Sequence, residues 1–248
     1  MARARRQLGR GPALVLAFLL LVAGFIWLYD KGVVRLSYPN LSDYPVRGID
    51  VSHHQGAIHW PSVARDDVRF AYIKATEGGD FRDRLFQRNV RGAQRAGLPI
   101  GAYHFFTLCR SGREQAENYL SAIRGHRMRL PPAVDLEFGG NCGARPTQAQ
   151  FDRELADFMA EVKRRTGREP ILYVTREFHE EYVAGGRFHR QPLWVRDLVA
   201  GLDRPSRSRV MFWQFAHRGR VDGIEGPVDL NVYVGSEAAF RAAIGGGA

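Results

Sequence analysis

Two carboxylic acids, Asp135 and Glu137, are separated by one residue in the segment 131–138, which reads PPAVDLEF. Side chains alternate between the two faces of a β-strand, so a strand here would point both acids to the same side. With a rise of about 3.3 Å per residue, their Cα atoms would lie roughly 6.6 Å apart. Paired carboxyl groups bias each other's protonation, and acid–base cleavage of a glycosidic bond requires such a pair. Two solvated acids at a strand end would show the same short motif, so the rest of the chain has to decide.

The composition limits the classes of protein to consider. The chain has 248 residues, of which 45% are hydrophobic, so it can bury a complete core in either one α/β barrel or two small domains. Its formal net charge is +10, and almost all of its basic residues are arginines. This balance favours anionic surroundings, such as lipid head groups or an acidic polymer. We expect no nucleic-acid partner, because the chain has no basic run with interleaved aromatics.

The N-terminal segment differs from the rest of the chain. Its first ten residues include four arginines, Arg3, Arg5, Arg6 and Arg10. An uncharged and largely apolar run follows over residues 11–29, which is about the length that spans a bilayer. We therefore predict a signal anchor or signal peptide over 1–30, a polar linker over 31–45 and a single body over 46–248.

The charge distribution predicts the orientation of this segment. Four arginines before the apolar run outweigh Lys31 and Arg35 after it, which puts the N-terminus inside and the body outside the membrane. A cleaved signal peptide is the alternative, because Val22-Ala23-Gly24 would serve as a cleavage site, although the apolar run continues to Tyr29. In either case the body is exported: it is held at the inner membrane facing the periplasm or the outside, or secreted if the segment is cleaved.

Short β-rich runs alternate with helical ones along the body. We predict eight strands, over 46–52, 68–75, 99–106, 132–137, 170–175, 192–195, 210–215 and 228–234. Such alternation indicates parallel strands, and eight of them suggest a closed, TIM-like (β/α) barrel. The last three strands leave little room for helices, so we expect the barrel to be irregular there.

Three helices carry clear end signals. The first runs over 147–167, with a capping box formed by Thr147 and Gln150 and a stop at Gly167. Ser111 with Glu114 opens a second helix in the same way. A third is predicted over 83–96.

Polar and aromatic residues recur at the predicted strand ends. They are Asp50, Lys74 and Glu77, Tyr103 and His104, Asp135 and Glu137, Tyr173, Trp194, Trp213 and Gln214, and Asp229. In a barrel of this kind the catalytic residues lie at the ends of the strands. Each of these residues also has a structural explanation on its own, as a core aromatic, a buried histidine or a paired lysine. Acids beside aromatics at one rim nevertheless favour a saccharide-binding cleft.

Six motifs in order now resemble a known family. They are RGIDVSHHQG at 47–56 with Ile58 and Trp60, YIKATEG at 72–78, GAYHF at 101–105, DLE at 135–137, WQ at 213–214, and GRVDGI at 219–224 leading to VDLN at 228–231. Together they resemble glycoside hydrolase family 25, the Chalaropsis-type lysozymes or N-acetylmuramidases, over about 46–244. The resemblance implies that 46–248 is an irregular catalytic barrel. It would cleave the bond between N-acetylmuramic acid and N-acetylglucosamine in peptidoglycan glycan strands, as a monomer without metal or cofactor.

The resemblance also implies roles for individual residues. Glu137 matches the general acid and Asp135 the partner carboxylate, while Asp50 and Asp229 match the other two acids of the site. Tyr103 matches a tyrosine beside the sugar at the cleavage point. We expect six residues to bind substrate: Tyr103, Glu77, Tyr173, Trp194, Trp213 and Gln214.

One motif departs from the family pattern. The family usually shows Leu-Trp-x-Ala followed by an aromatic, whereas this chain has Leu193-Trp194-Val195-Arg196-Asp197-Leu198. Arg196 would contact a lactyl or peptide carboxylate of the wall, or it is a surface arginine.

Two other functional classes are alternatives. His53, His54 and His104 with the aspartates could bind a metal in a metal-dependent hydrolase, although no HExxH-like spacing supports this. A wall-binding barrel without catalysis is the other alternative, and the intact acids argue against it.

The two cysteines form a separate prediction. Cys109 and Cys142 each follow a rim residue, Tyr103 and Glu137 respectively, by five or six positions on strands that should be neighbours. In an exported protein we expect them to form a disulfide across adjacent loops.

Overall fold

A computed structural model describes residues 10–31, 33–34, 36–202 and 208–245. Nine strands are present in this part of the chain: β1 Arg47–Val51, β2 Phe70–Glu77, β3 Phe81–Arg82, β4 Ile100–Phe105, β5 Ala133–Leu136, β6 Ile171–Thr175, β7 Leu193–Arg196, β8 Val210–Gly219 and β9 Val228–Tyr233. The helices are α1 Arg10–Asp30, α2 Trp60–Arg65, α3 Phe86–Arg95, α4 Gly112–Ile123, α5 Gln148–Thr166, α6 Arg176–Phe178 and α7 Glu237–Gly245. A 3-10 turn covers His53–Gln55, and α6 continues into a π-helical turn over His179–Val183.

Eight of the strands close into a barrel in the order β1-β2-β4-β5-β6-β7-β8-β9, with β9 returning to β1. The short strand β3 pairs with β2 as a hairpin outside this ring. The predicted eight-stranded barrel is therefore confirmed, and its strands fall where the β-rich runs indicated. The strands that enclose the site can bring their carboxyl-terminal ends to one rim because β1, β2 and β4 to β8 are parallel.

The strand β9 runs antiparallel to both of its neighbours, β8 and β1, which differs from the all-parallel expectation. Only residues 220–227 connect β8 to β9. A parallel neighbour needs a crossover of a dozen or more residues, so this connection can only form an antiparallel turn. The start of β9, rather than its end, therefore lies at the catalytic rim and brings Asp229 opposite Asp50.

Aromatic side chains fill the inside of the barrel below the rim. Tyr72 stacks on Trp194 with ring centroids 4.6 Å apart, and its hydroxyl donates to the carbonyl of Pro131. Phe240 of α7 packs on Phe70 and Tyr233 at the far end. The interior is thus a packed floor for the site rather than a channel.

The helices begin and end largely where their signals predicted. Thr147 and Gln150 form the reciprocal capping box of α5, and Gly167 adopts a left-handed φ of 70° after it. Ser111 accepts from the Glu114 amide at the start of α4, as a simple N-cap. The helix α3 starts at Phe86, later than predicted, because Asp83 instead accepts hydrogen bonds from the backbone of His53 and Leu85.

The N-terminal helix α1 stands apart from the barrel core. Its 19 residues Gly11–Tyr29 are long and apolar enough to cross a membrane, and none of them is buried. Signal sequences have the same length and composition. After α1, part of the predicted linker packs on the barrel: Tyr44 is buried and meets the Trp213 ring edge-on, and Tyr38 meets Phe215.

Candidate active site

A pocket of about 220 Å³ opens at the rim where the parallel strands end. Its lining consists of Asp50, Tyr103, Asp135, Glu137, Tyr173, Trp194, Arg196, Gln214, His217 and Asp229. The structure therefore brings together all the predicted site residues except Glu77 and Trp213. Four carboxyl groups from β1, from β5 with the residue after it, and from β9 face one small space.

Asp50 is fixed by two amide donors. Gln214 Nε2 and Asn231 Nδ2 donate to Asp50 Oδ2 over 2.9 and 2.7 Å. Burial raises the pKa of Asp50 to about 6, although these two hydrogen bonds favour the ionised form.

The same amides are oriented in turn by aromatic residues. The Tyr173 hydroxyl donates to Gln214 Oε1 over 3.0 Å, and Trp194 Nε1 donates to Asn231 Oδ1 over 2.8 Å. These bonds settle which end of each amide faces Asp50, because a hydroxyl or indole donor must meet the carbonyl oxygen. The position of Asp50 is thus set by residues of four strands, β6 to β9.

Asp135 and Glu137 project from the end of β5 into the pocket. Asp135 is buried, and its Oδ1 atom has no hydrogen-bond partner among the described residues. Burial raises the pKa of Asp135 well above its usual range, and the charge of Glu137 raises it further. An unpaired buried carboxyl oxygen is costly, so this atom is suited to accept a hydrogen bond from a ligand.

Glu137 lies one residue beyond β5 and is partly open to the pocket. Burial raises its pKa, and the guanidinium of Arg196 opposes this shift. Asn141 Nδ2 donates to the backbone carbonyls of Glu137 and Phe106, while Asn141 Oδ1 accepts from the Leu108 amide. These bonds join the loops after β4 and β5 next to the acid.

The disulfide between Cys109 and Cys142 joins the same two loops. Its Cα atoms are 6.4 Å apart, which confirms the predicted pairing. The covalent link and the Asn141 bonds together hold the backbone that carries Glu137.

Tyr103 and Asp229 complete the acidic side of the pocket. Tyr103 meets Trp194 edge-on, and burial followed by the charges of Asp50 and Asp135 raises its pKa well above the usual range. Its hydroxyl therefore stays protonated and can donate a hydrogen bond. Burial, and then the charge of Asp50, raises the pKa of Asp229 as well. Acids that interact this closely titrate as a set rather than one by one.

Two predicted substrate residues point elsewhere. Glu77 forms an ion pair with Lys74 at 2.7 Å and does not line the pocket. Trp213 lies between the inward-facing Phe212 and Gln214, so strand alternation turns it outward. There its Nε1 donates to the Asp197 carbonyl.

The histidines considered as metal ligands do not converge. His104 lies in the layer outside the barrel, between Thr76 and Gln115, and burial lowers its pKa to about 3. His53 contacts Asp83 at 2.8 Å instead of the pocket acids. Across residues 10–202 and 208–245, apart from 32 and 35, no three His, Cys, Asp or Glu side chains are arranged to hold a metal ion.

The sequence predicts no role in the site for Asn231 or His217, and it predicts Arg196 to be either a contact for a wall carboxylate or a surface arginine. Asn231 follows Asp229 by two positions on β9, and strand alternation could have identified it. Arg196 follows Trp194 by two positions and shares its face in the same way. His217 had no such signal, because the pairing of β8 with β9 shifts register after Gln214.

Known proteins resemble this chain in sequence and in fold. The sequence matches the profile of Glycosyl hydrolases family 25 over residues 49–224. The chain belongs to glycosyl hydrolase family 25. Lysozyme M1 from Streptomyces globisporus is 38% identical over 208 residues, which are 79% of this chain and 70% of that protein.

Solved structures of family 25 share the fold. A family 25 glycosyl hydrolase from Bacillus anthracis superposes with a TM-score of 0.76 at 29% identity, covering 84% of this chain and 97% of that one. A bacterial lysozyme from Streptomyces coelicolor gives a TM-score of 0.71 at 33% identity, covering 82% and 98%. The resemblance of the six sequence motifs is therefore confirmed, and the chain is a glycoside hydrolase.

Proposed function

We propose that this protein is an N-acetylmuramidase that hydrolyses the β-1,4 bond between N-acetylmuramic acid and N-acetylglucosamine in peptidoglycan. The observation that carries the proposal is the convergence of Asp135 and Glu137 on one pocket in a family 25 barrel. Both acids have raised pKa values, and one oxygen of Asp135 lacks a partner among the described residues. A glycosidase needs a proton donor and a second carboxyl group that both face the scissile bond.

Glu137 is the proton donor in the proposed reaction. Its carboxyl group is raised in pKa by burial and is still open to the pocket, so it can protonate the leaving glycosidic oxygen. After the leaving sugar departs, the same carboxylate takes a proton from the attacking water. The two half-reactions together return Glu137 to its protonated starting state.

The nucleophile in this scheme comes from the substrate. The acetamido oxygen of the muramyl sugar attacks its own anomeric carbon, and water later opens the resulting ring with overall retention. Asp135 accepts the acetamido N–H on its unpaired Oδ1, with Tyr103 beside it, and so orients the attacking group. Asp50 and Asp229 hold the sugar and tune the shared titration of the acids.

Direct attack by Asp135 is the alternative, and it would produce a covalent glycosyl-enzyme. NMR of the first-formed product should show the retained anomer, and mass spectrometry of trapped enzyme should show no sugar on Asp135. A sugar adduct on Asp135 would show that Asp135 is the nucleophile, and the reaction would still retain the anomeric configuration. The inverted anomer would rule out both retaining schemes.

The function itself is tested by digesting purified cell wall with the full-length protein in detergent. Soluble fragments with new reducing ends on N-acetylmuramic acid are expected, and Glu137→Gln should release almost none. Binding to the wall without release would favour a non-catalytic barrel.

We also propose that α1 stays uncleaved and anchors the barrel on the outer side of the inner membrane. The length and apolar composition of Gly11–Tyr29 and the arginines before it support this. N-terminal sequencing of protein from membranes is expected to show the intact start. A mature chain that begins near Phe25 would establish a secreted enzyme instead.

A further inference from the structure

The pocket combines four carboxyl groups with one permanently charged cation. Arg196 is that cation among the described lining residues. His217 also lines the pocket, but burial and the charge of Arg196 lower its pKa, so it is neutral at pH 7. A substrate that carries a carboxylate would be repelled by this acidic lining everywhere except near Arg196.

Arg196 is placed by the strand rather than by a flexible loop. It shares the inward face of β7 with Trp194, and its backbone pairs with Thr175 on β6 and Gln214 on β8. Its side chain remains 34% exposed. The side chain is therefore anchored on a paired strand and partly accessible to a ligand.

The contact between Arg196 and Glu137 is a loose one. Arg196 Nη1 lies 3.4 Å from Glu137 Oε2, whereas strong arginine–carboxylate bonds are about 2.7–2.9 Å and often bidentate. Glu137 is the acceptor of Arg196 in the described part of the chain. A guanidinium has five N–H donors, so a second carboxylate could bind it better than Glu137 does.

The pairing also opposes the role of Glu137 as a proton donor. The titratable groups that line the pocket with Glu137 are Asp50, Tyr103, Asp135, Tyr173, Arg196, His217 and Asp229. Of these, Arg196 and Asp50 act on the pKa of Glu137, as does Lys74 outside the pocket lining. Within this set Arg196 is the largest influence that favours the ionised form of Glu137. Drawing the guanidinium away would leave the acid better able to hold the proton that it must donate.

We propose that Arg196 is a specificity-determining residue that binds a carboxylate of the muramyl unit, and that this binding draws the guanidinium away from Glu137. The inference rests on the proposed muramidase function. The carboxylate has two possible sources. It is the free lactyl group in glycan strands without peptides, or a carboxylate of the stem peptide where the lactyl group is amide-linked.

The test compares three substrates: strands stripped of stem peptides, strands with intact stems, and stripped strands whose lactyl groups are converted to neutral amides. For Arg196→Gln, kcat/KM should fall about 10- to 100-fold on the carboxylate substrate that Arg196 recognises. On the stripped strands with neutral lactyl amides, kcat/KM of the same variant should fall less than about twofold. If kcat/KM falls only on stripped strands, Arg196 binds the lactyl carboxylate. If kcat/KM falls only on intact strands, it binds a carboxylate of the stem peptide.

A pH profile separates this role from a merely structural one. The basic limb of kcat/KM reports the proton donor of the free enzyme, and that of kcat reports the complex. For wild type on the recognised substrate, the kcat limb should lie at higher pH than the kcat/KM limb. In Arg196→Gln the kcat/KM limb should move to higher pH, because the cation that lowers the pKa of Glu137 is gone.

Two matched variants serve as controls. Arg196→Lys keeps the charge and should recover part of the preference for the carboxylate substrate. Arg176→Ala removes a rim arginine that is paired with Asp197. It should change neither the substrate preference nor the basic limb of either pH profile. Equal losses for Arg196→Gln on charged and neutral substrates would overturn the inference. If wild-type enzyme cleaves none of the three substrates, it is the muramidase proposal that fails.

Discussion

Glu137 is the residue on which the proposed chemistry depends most directly. Glu137→Gln keeps the shape and the backbone bonds to Asn141 but removes the transferable proton. We expect kcat on purified wall to fall by about two to four orders of magnitude, the usual contribution of general acid catalysis. The thermal midpoint should change little. Glu77→Gln, outside the pocket, is the control, and a Glu137→Gln enzyme with more than a tenth of wild-type turnover would contradict the assignment.

Asp50 should make the stability depend on pH. Its folded pKa is about 6, above the 3.8 of an unperturbed aspartate, so the folded state holds a proton that the unfolded state loses as the pH rises from 4 to 6. The stability that this retained proton contributes is therefore complete below about pH 4 and is lost as the pH rises toward 7. Asp50→Asn can still accept both amide donors on one oxygen and does not ionise.

We therefore expect Asp50→Asn to gain roughly 2 to 3 kcal/mol of unfolding free energy relative to wild type between pH 4 and pH 7. Urea titrations at both pH values measure this difference. If the two proteins change in parallel with pH, the folded-state pKa of Asp50 is not raised.

Most residues of the site could be predicted from the sequence, because the alternation of side chains along a strand is a local property. Asp135 and Glu137, or Trp194 and Arg196, share a face wherever a strand forms. Whether Arg196 lies in solvent or in the pocket depends on β6 and β8, and no local pattern contains that information. Trp213 was placed in the site although alternation with Gln214 turns it outward.

At the level of elements, the strand and helix positions were predictable and the direction of one strand was not. The capping box at Thr147 and the stop at Gly167 are local signals, and the structure follows them. The antiparallel β9 follows from the short connection over 220–227. The lack of room for helices there predicts an irregular barrel but was not taken as far as a reversed strand.

The disulfide is the element-level feature with the clearest energetic consequence. It closes a separation of 33 residues, so Cys142→Ser should lower the unfolding free energy by roughly 3 to 4 kcal/mol in the chain-entropy account. Urea unfolding without reductant measures the loss. Cys109→Ser and the double variant should show the same loss, because all three lack the same link. A larger loss in the double variant would indicate that the side chains act separately.

At the scale of the whole molecule, the orientation of the chain is testable. The arginines before α1 predict an inside N-terminus, so a reporter enzyme that works only in the periplasm, fused after Ala248, should be active. A cytoplasmic reporter at the same position should be silent. The opposite pair of results would invert the topology.

The position of α1 relative to the barrel has a spatial consequence. Tyr29 in its last turn meets the ring of His217, which lines the pocket, and Arg220 donates to the carbonyl of Lys31 beside it. With α1 embedded in lipid, the mouth of the pocket would sit at a fixed and small height above the bilayer. Such an enzyme would reach the innermost glycan layer, where new strands leave the membrane, and would leave older and more distant wall intact.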